Sequence, residues 1–367
     1  MSAPAISLFP DYPLEDERHH HEALMGAVRR VMEGGRFILG EEVRAFEEEF
    51  SAFLGGGHGV GVASGTDAIE LVLRALGIGR GSAVVLPAMA PSAVASAVHR
   101  AGARIVLCDV EDQTLTLCPA ALEKVLSAGR GIRAVLAVHL YGHPCEWQRL
   151  AEICEMHGVS LIEDASQAHG AVWRQKRAGS LGEISVWSFY PTKNLGALGD
   201  AGAVWARDAA LAAKLRCLRE YGWERRHVSQ RAGINSRMDE MQAAMLRVKL
   251  RTLAGHVERR RVLADGYFRC LSRVRTPEVR QDCMHAFHQF VVRTPRRASL
   301  QQQLARLGIP TAVLYPAALH EQPAFACRGS FPVAEQAARE VLSLPLHPYL
   351  DSGAVRAVCA AVEDRKA

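Results

Sequence analysis

The stretch ISVWSFYPTKNLGALGDAGAVWA, residues 184–206, holds an apolar run (Ile184, Val186, Trp187, Phe189, Tyr190), one lysine, and then glycines at Gly196, Gly199 and Gly202. Its ends read as strands, 184–189 and 203–206, and Lys193 falls in the permissive loop between them. Working back towards the N-terminus, short apolar runs at 83–86, 104–108, 134–139 and 160–162 read as further strands. Between them lie helical patterns at 67–76, 119–126 and 147–157. Strands separated by helices of this length predict βαβ units and a mostly parallel sheet. Several strands are apolar throughout, as expected where helices cover both faces.

The texture changes beyond residue 236. SRMDEMQAAMLRVKLRTLAGHVERRRVLADGYFRCL reads as one long helix from Ser236, with that serine as N-cap and Asp239 three residues on. After it come a strand at 287–292 and helices at 299–307, 332–342 and 352–362. The expected organisation is a large α/β domain over 1–250, including an N-terminal arm, and a smaller α+β domain over 251–367. The glycine clusters at 55–61 and 77–81 lack the strand–turn–helix context of a dinucleotide fingerprint and read as loops.

Composition narrows the class. Hydrophobic residues make up 49% and charged residues 23% of the 367, a globular profile, and no apolar run is long enough to span a bilayer. The first residues lack a basic start followed by an apolar stretch, so no secretory signal is expected and the cytoplasm is the expected location. Nine cysteines, an odd number with no CxxC pair, fit reduced thiols. The net charge of +5 is dispersed; it suits an anionic small ligand and is too weak and scattered to argue for nucleic acid, so no nucleic-acid partner is expected. His19-His20-His21 sits in a continuing helical pattern and reads as a solvated face rather than a metal site.

Three groups carry the candidate chemistry. In SLIEDASQAHGA, Asp164 ends a buried strand, where α/β sheets place their ligand sites. It either caps the next segment or pairs with a cation, with Gln167 and His169 close behind. Lys193 follows the next strong strand and is a candidate ion-pair partner, phosphate contact or nucleophilic amine. In VASGTDAIELVLRAL, Ser64-Gly65-Thr66 opens a helix after a strand end, either as an ordinary N-cap or as an anion cradle. Ser188 could add a hydroxyl to the same anion. A carboxylate, a lysine and an anion cradle together are the set a pyridoxal phosphate enzyme needs.

With these residues in hand, the chain resembles the sugar aminotransferases of the DegT/StrS type. The likeness runs over 35–348, through SGTDAIEL, DVEDQTLTL, AVHLYGHP, EDASQAHGA, GSLGEISVWSFYPTKNLGALGDAGAV, GINSRMDEMQAAMLRVKL and REVLSLPLHP. It implies a fold-type I, aspartate-aminotransferase-like architecture, a homodimer with shared active sites, and pyridoxal 5'-phosphate that cycles through pyridoxamine 5'-phosphate. Lys193 would form the Schiff base and shuttle the proton, which requires a lowered pKa. Asp164 would pair with the pyridine nitrogen, and Gln167 would lie by the 3-hydroxyl. Gly65, Thr66 and Ser188 would hold the phosphate, joined by Asn235 from the other subunit.

The implied reaction moves an amino group from glutamate, leaving 2-oxoglutarate, to a ketone on a nucleotide-linked sugar. A cyclitol ketone is the alternative acceptor, and a non-catalytic regulator or binding protein the alternative class. The family's dehydratases carry histidine where this chain has Lys193. The family's ring-stacking aromatic is replaced at Ala90-Pro91, leaving either Pro91 or Met89 to pack there or the cofactor to be held more by its polar contacts. The usual HYP is LYP at 314–316, with Tyr315 and His320 as substrate-side candidates or ordinary packing residues.

Overall fold

The computed structural model describes Ile6 and residues 14–364, with side chains continuous from His20 onward. The reading of the first residues as free of a signal, and His19 of the histidine run, lie outside the described side chains. The strands are β1 (His58–Val62), β2 (Ala83–Pro87), β3 (Arg104–Cys108), β4 (Ile132–Val138), β5 (Ser160–Asp164), β6 (Ile184–Ser188) and β7 (Gly202–Ala206). They form one seven-stranded sheet in the order β1-β7-β6-β5-β4-β2-β3. β2 to β6 run parallel, and β7 alone is reversed against both β1 and β6.

Residues alternate across β6. Ile184 and Val186 join one core layer, while Trp187, with Phe189 just beyond the strand, joins another. In that second layer Phe50 meets the Trp187 ring edge-on at 5.0 Å and Phe189 at 5.4 Å. The aromatic run therefore braces the loop carrying Lys193 from behind. Helices α1 (Leu14–Gly34) and α2 (Glu41–Leu54) precede the sheet, and α3 (Gly65–Ala75) leaves β1.

β1 corrects one expectation. The glycine cluster 55–61 is a turn only in its first half; from His58 it is an edge strand. Gly57 and Gly59 answer to close packing rather than to flexibility. A Cβ on Gly57 would lie 2.5 Å from the Trp205 indole, and one on Gly59 would lie 2.8 Å from the Glu47 carbonyl.

The long helix is also corrected. It is two helices, α4 (Glu240–Leu250) and α5 (Leu253–Cys270). The backbone N–H and the Oγ1 hydroxyl of Thr252 both donate to the Lys249 carbonyl, closing a turn between them. Ser236 is not the N-cap. Its hydroxyl donates to Asp67 Oδ2 at 2.8 Å and accepts the Ala63 N–H, and the helix starts four residues later. A separate apolar cluster spans residues from Leu263 to Val362 and takes in Phe290 and Val292 of Phe290–Arg293 with Leu342 and Leu344 of its antiparallel partner, Val341–Leu344. The latter strand takes the last residues of the helix expected at 332–342. His20 is half-buried against Thr252 and His256 rather than fully solvated, and His21 is exposed. No cluster of metal-ligating residues, and no helix long and apolar enough to cross a membrane, occurs among the described residues.

Candidate active site

Asp164 and Ser188 are the last residues of neighbouring parallel strands, so their side chains emerge at one edge of the sheet. There they line a cavity of about 250 Å3 together with Lys193, Gly65, Thr66, Gln167 and Tyr315. Residues separated by 250 positions in the chain are thus gathered by topology alone, at the carboxyl ends of the strands.

Asp164 is 2% exposed. Burial raises its carboxyl above the usual range, against the Ser166 N–H that donates to Oδ1 at 3.0 Å and against the charge of Lys193. The capping reading of Asp164 holds, since one oxygen accepts the Ser166 N–H, and the carboxyl also lines the cavity. Its neighbour Glu163 points to the other side and is fully buried. It accepts His139 Nε2–H at 2.8 Å and the Leu181 N–H at 3.1 Å, fixing the floor under the strand end. The His139 tautomer follows from its other nitrogen, which accepts the Cys145 N–H.

Lys193 sits on a tightly folded loop. Its own N–H donates to the Tyr190 carbonyl, the Ala197 N–H to Phe189, and the Leu198 N–H to Gln242 Oε1. A Cβ on Gly196 would be 2.4 Å from the Pro191 carbonyl oxygen, so only glycine allows this closure. The side chain is part-exposed to the cavity, yet crowded enough that burial lowers its amine from 10.5 to about 8, with Asp164 pulling the other way. The amine is therefore far closer to its neutral, nucleophilic form than a surface lysine at neutral pH.

The anion cradle is the start of α3. Ser64 is the N-cap, its hydroxyl accepting the Asp67 N–H at 3.1 Å, as the plainer reading expected. The N–H groups of Gly65 and Thr66 have no partner among the described residues and open on the cavity at the positive end of the helix. The cradle is close-packed: a Cβ on Gly202 would lie 2.3 Å from the Ser64 carbonyl carbon. A lysine with a lowered pKa, a buried acid and free N–H donors fit pyridoxal phosphate by the chemistry of the donor set.

Other expected residues divide. Gln167 is buried, accepts the Tyr141 N–H and donates to Tyr315 Oη. Pro91 lines the cavity with Ala93 and Val94, whereas Met89 is fully buried away from it. His320 lies outside the lining; it pairs with Glu335 at 3.3 Å and packs on Phe331. Asn235 is exposed and also outside the cavity of its own chain. Sequence reasoning passed over Ser166, Tyr190 and Asp200, which line the cavity. Their only signal was proximity to Asp164 and Lys193.

Fold and site together define a pyridoxal-phosphate-dependent aminotransferase with an α/β, fold-type I architecture. The chain belongs to the DegT/DnrJ/EryC1/StrS aminotransferase family, which it matches over residues 18–363. It is 41% identical to dTDP-3-amino-3,4,6-trideoxy-alpha-D-glucose transaminase of Streptomyces venezuelae, covering 97% of this chain and 96% of the relative. It is 43% identical to the erythromycin biosynthesis sensory transduction protein EryC1 of Saccharopolyspora erythraea, covering 92% and 93%. The crystal structure of S. venezuelae DesV in complex with ketimine intermediate superposes with a TM-score of 0.94 at 40% identity, covering 98% of each chain.

Proposed function

We propose that the protein transfers an amino group from glutamate to the ketone of a nucleotide-linked sugar, in amino-sugar biosynthesis, as a cytoplasmic homodimer. The observation that carries this reading is the convergence of Lys193, lowered to about 8, and buried Asp164 on one cavity at the start of α3. The relatives supply the substrate class: one is named as acting on a dTDP-linked sugar and another, 37% identical and from Pseudomonas aeruginosa, on a UDP-linked one.

Bound there, pyridoxal phosphate supplies the carbonyl that takes up the amino group and a ring that accommodates the released electron pair. Lys193 would hold it covalently and would carry the released proton, for which a near-neutral amine is required. Asp164 would keep the ring nitrogen protonated. Gly65 and Thr66 would offer their free N–H groups to the phosphate, with Ser188 adding a hydroxyl. Gln167 keeps one amide N–H for the 3-hydroxyl side. Asn235, exposed on its own chain, reaches the phosphate of a second copy. Tyr315 faces the substrate; His320, held by Glu335 and Phe331, lies outside the cavity lining.

Two relatives carry regulatory names, EryC1 and a pleiotropic regulatory protein of Geobacillus stearothermophilus. Retention of Lys193 and Asp164 in one cavity favours catalysis over that reading. The test is the visible absorbance of the protein with pyridoxal phosphate, before and after glutamate. Conversion to the pyridoxamine form supports the proposal, and a band that glutamate leaves unchanged defeats it. Size-exclusion chromatography with light scattering tests the dimer.

A further inference from the structure

The amide of Gln167 is oriented from one side. Its Oε1 accepts the main-chain N–H of Tyr141 at 2.7 Å, and such an N–H can only donate. Nε2, also a donor only, therefore faces the opposite way, where it reaches Tyr315 Oη at 3.1 Å. In that bond the phenol oxygen is the acceptor, so its own proton must point elsewhere. No described residue accepts that proton, and Tyr315 lines the cavity with Lys193 and Asp164.

The segment carrying Tyr315 is held on both sides. The Tyr141 phenol donates to the Leu314 carbonyl, and the Leu319 N–H donates to the Ala88 carbonyl at 2.8 Å. Burial pushes the Tyr315 phenol up to about 12, so it is protonated at neutral pH.

We propose that Tyr315 is a catalytic proton donor to the carbonyl oxygen of the ketone that receives the amino group, with Gln167 as the positioning residue that sets the polarity of its phenol. This rests on the aminotransferase reading above. Joining an amine to a ketone makes a C=N bond and breaks the C=O bond; the oxygen leaves as water, and both hydrogens come from the amine nitrogen. The phenol lends its proton to the oxygen as the C–O bond breaks and recovers one from the nitrogen. Tyr315 is thus unchanged over the cycle.

The experiment uses the holoenzyme with glutamate and 2-oxoglutarate as probes. Once glutamate has carried the protein to the pyridoxamine form, 2-oxoglutarate is added by stopped flow and the return of the visible absorbance is timed. Tyr315→Phe should keep cofactor affinity within about threefold and slow the return about 100-fold. Gln167→Glu still accepts the Tyr141 N–H but offers a carboxylate oxygen to Tyr315, drawing the phenolic proton out of the cavity. It should be slowed like Tyr315→Phe although the phenol remains, and the double variant should be no slower than either. A structural role would give additive losses with loss of cofactor affinity. A Tyr315→Phe or Gln167→Glu variant as fast as wild type overturns the proposal. Wild-type protein that binds the cofactor but ignores glutamate overturns the aminotransferase reading instead, before any variant is made.

Discussion

A methyl group on Gly65 would stand 2.7 Å from Cβ of Ser188. The first turn of α3 and the end of β6 therefore touch at the point where the anion cradle forms. Gly65→Ala must push them apart, at a cost of about 1–3 kcal/mol. We expect a lower melting temperature and at least tenfold weaker uptake of pyridoxal phosphate, read by fluorescence titration. An unchanged melting temperature would refute the close packing.

The lowered pKa of Lys193 sets a pH dependence. Only the neutral amine attacks an aldehyde, and burial brings that form in above about 8 rather than 10.5. The rate of pyridoxal phosphate uptake should rise with pH through about 8 and level off beyond it. Asp164 favours the charged amine, so Asp164→Asn should move the midpoint lower. A rate still climbing at pH 10 would mean an unperturbed lysine.

Glu47 is a buried hub. It accepts the Gly61 N–H at 2.9 Å and pairs with Arg219 at 2.5 Å, and Arg219 is itself 7% exposed. Glu47→Ala leaves that guanidinium buried and uncompensated, a loss of about 3–5 kcal/mol in urea unfolding. A loss below about 1 kcal/mol would show that water reaches Arg219.

Four histidines are held neutral by burial. His143 is lowered to about 4 and His169 to about 3, while His285 and His288 lie well below their ordinary value. The unfolded chain takes up these protons near 6.5 and the folded chain does not. Stability is therefore kept above pH 6.5 and lost as pH falls below it, by about 1.4 kcal/mol per histidine per unit. His169 packs against Trp187 and Phe189. His169→Leu should flatten the fall in melting temperature between pH 6.5 and 5; parallel curves would exclude its part in it.

The wall of the cavity at Pro91, Ala93 and Val94 has no aromatic ring. Pro91→Phe should tighten pyridoxamine phosphate binding several-fold, since an aromatic contact contributes about 0.5–1.5 kcal/mol. Equal or weaker binding would mean that the ring does not lie on that wall.

Much of this was legible because it is local. The strands from 83 to 206 announce themselves by apolar runs between helical patterns, and Asp164 and Lys193 each follow one. What escaped is what distant contacts decide. His58–Val62 is strand because β7 pairs with it and Trp205 and Glu47 close over its glycines. Ser236 has the sequence of a cap, but its hydroxyl is taken by Asp67, 169 residues earlier. His320 was drawn into the site by its position in the chain, and the fold turns it to Glu335. The Gln167–Tyr315 bond links positions 148 apart and leaves no trace in either neighbourhood.

The reversal of β7 bears on how the loop with the reactive lysine can change. Ser188 and Gly202 are ladder partners, so the span 189–201 leaves and re-enters the sheet at the same rung, on neighbouring strands. A parallel β7 would have needed a crossover helix, and any change in the span would have been felt across a whole layer. As built, a change in the length of the span stays within one turn and resets the register of no other strand, while Leu198 and Asn194 still tie it to Gln242 and Ala286.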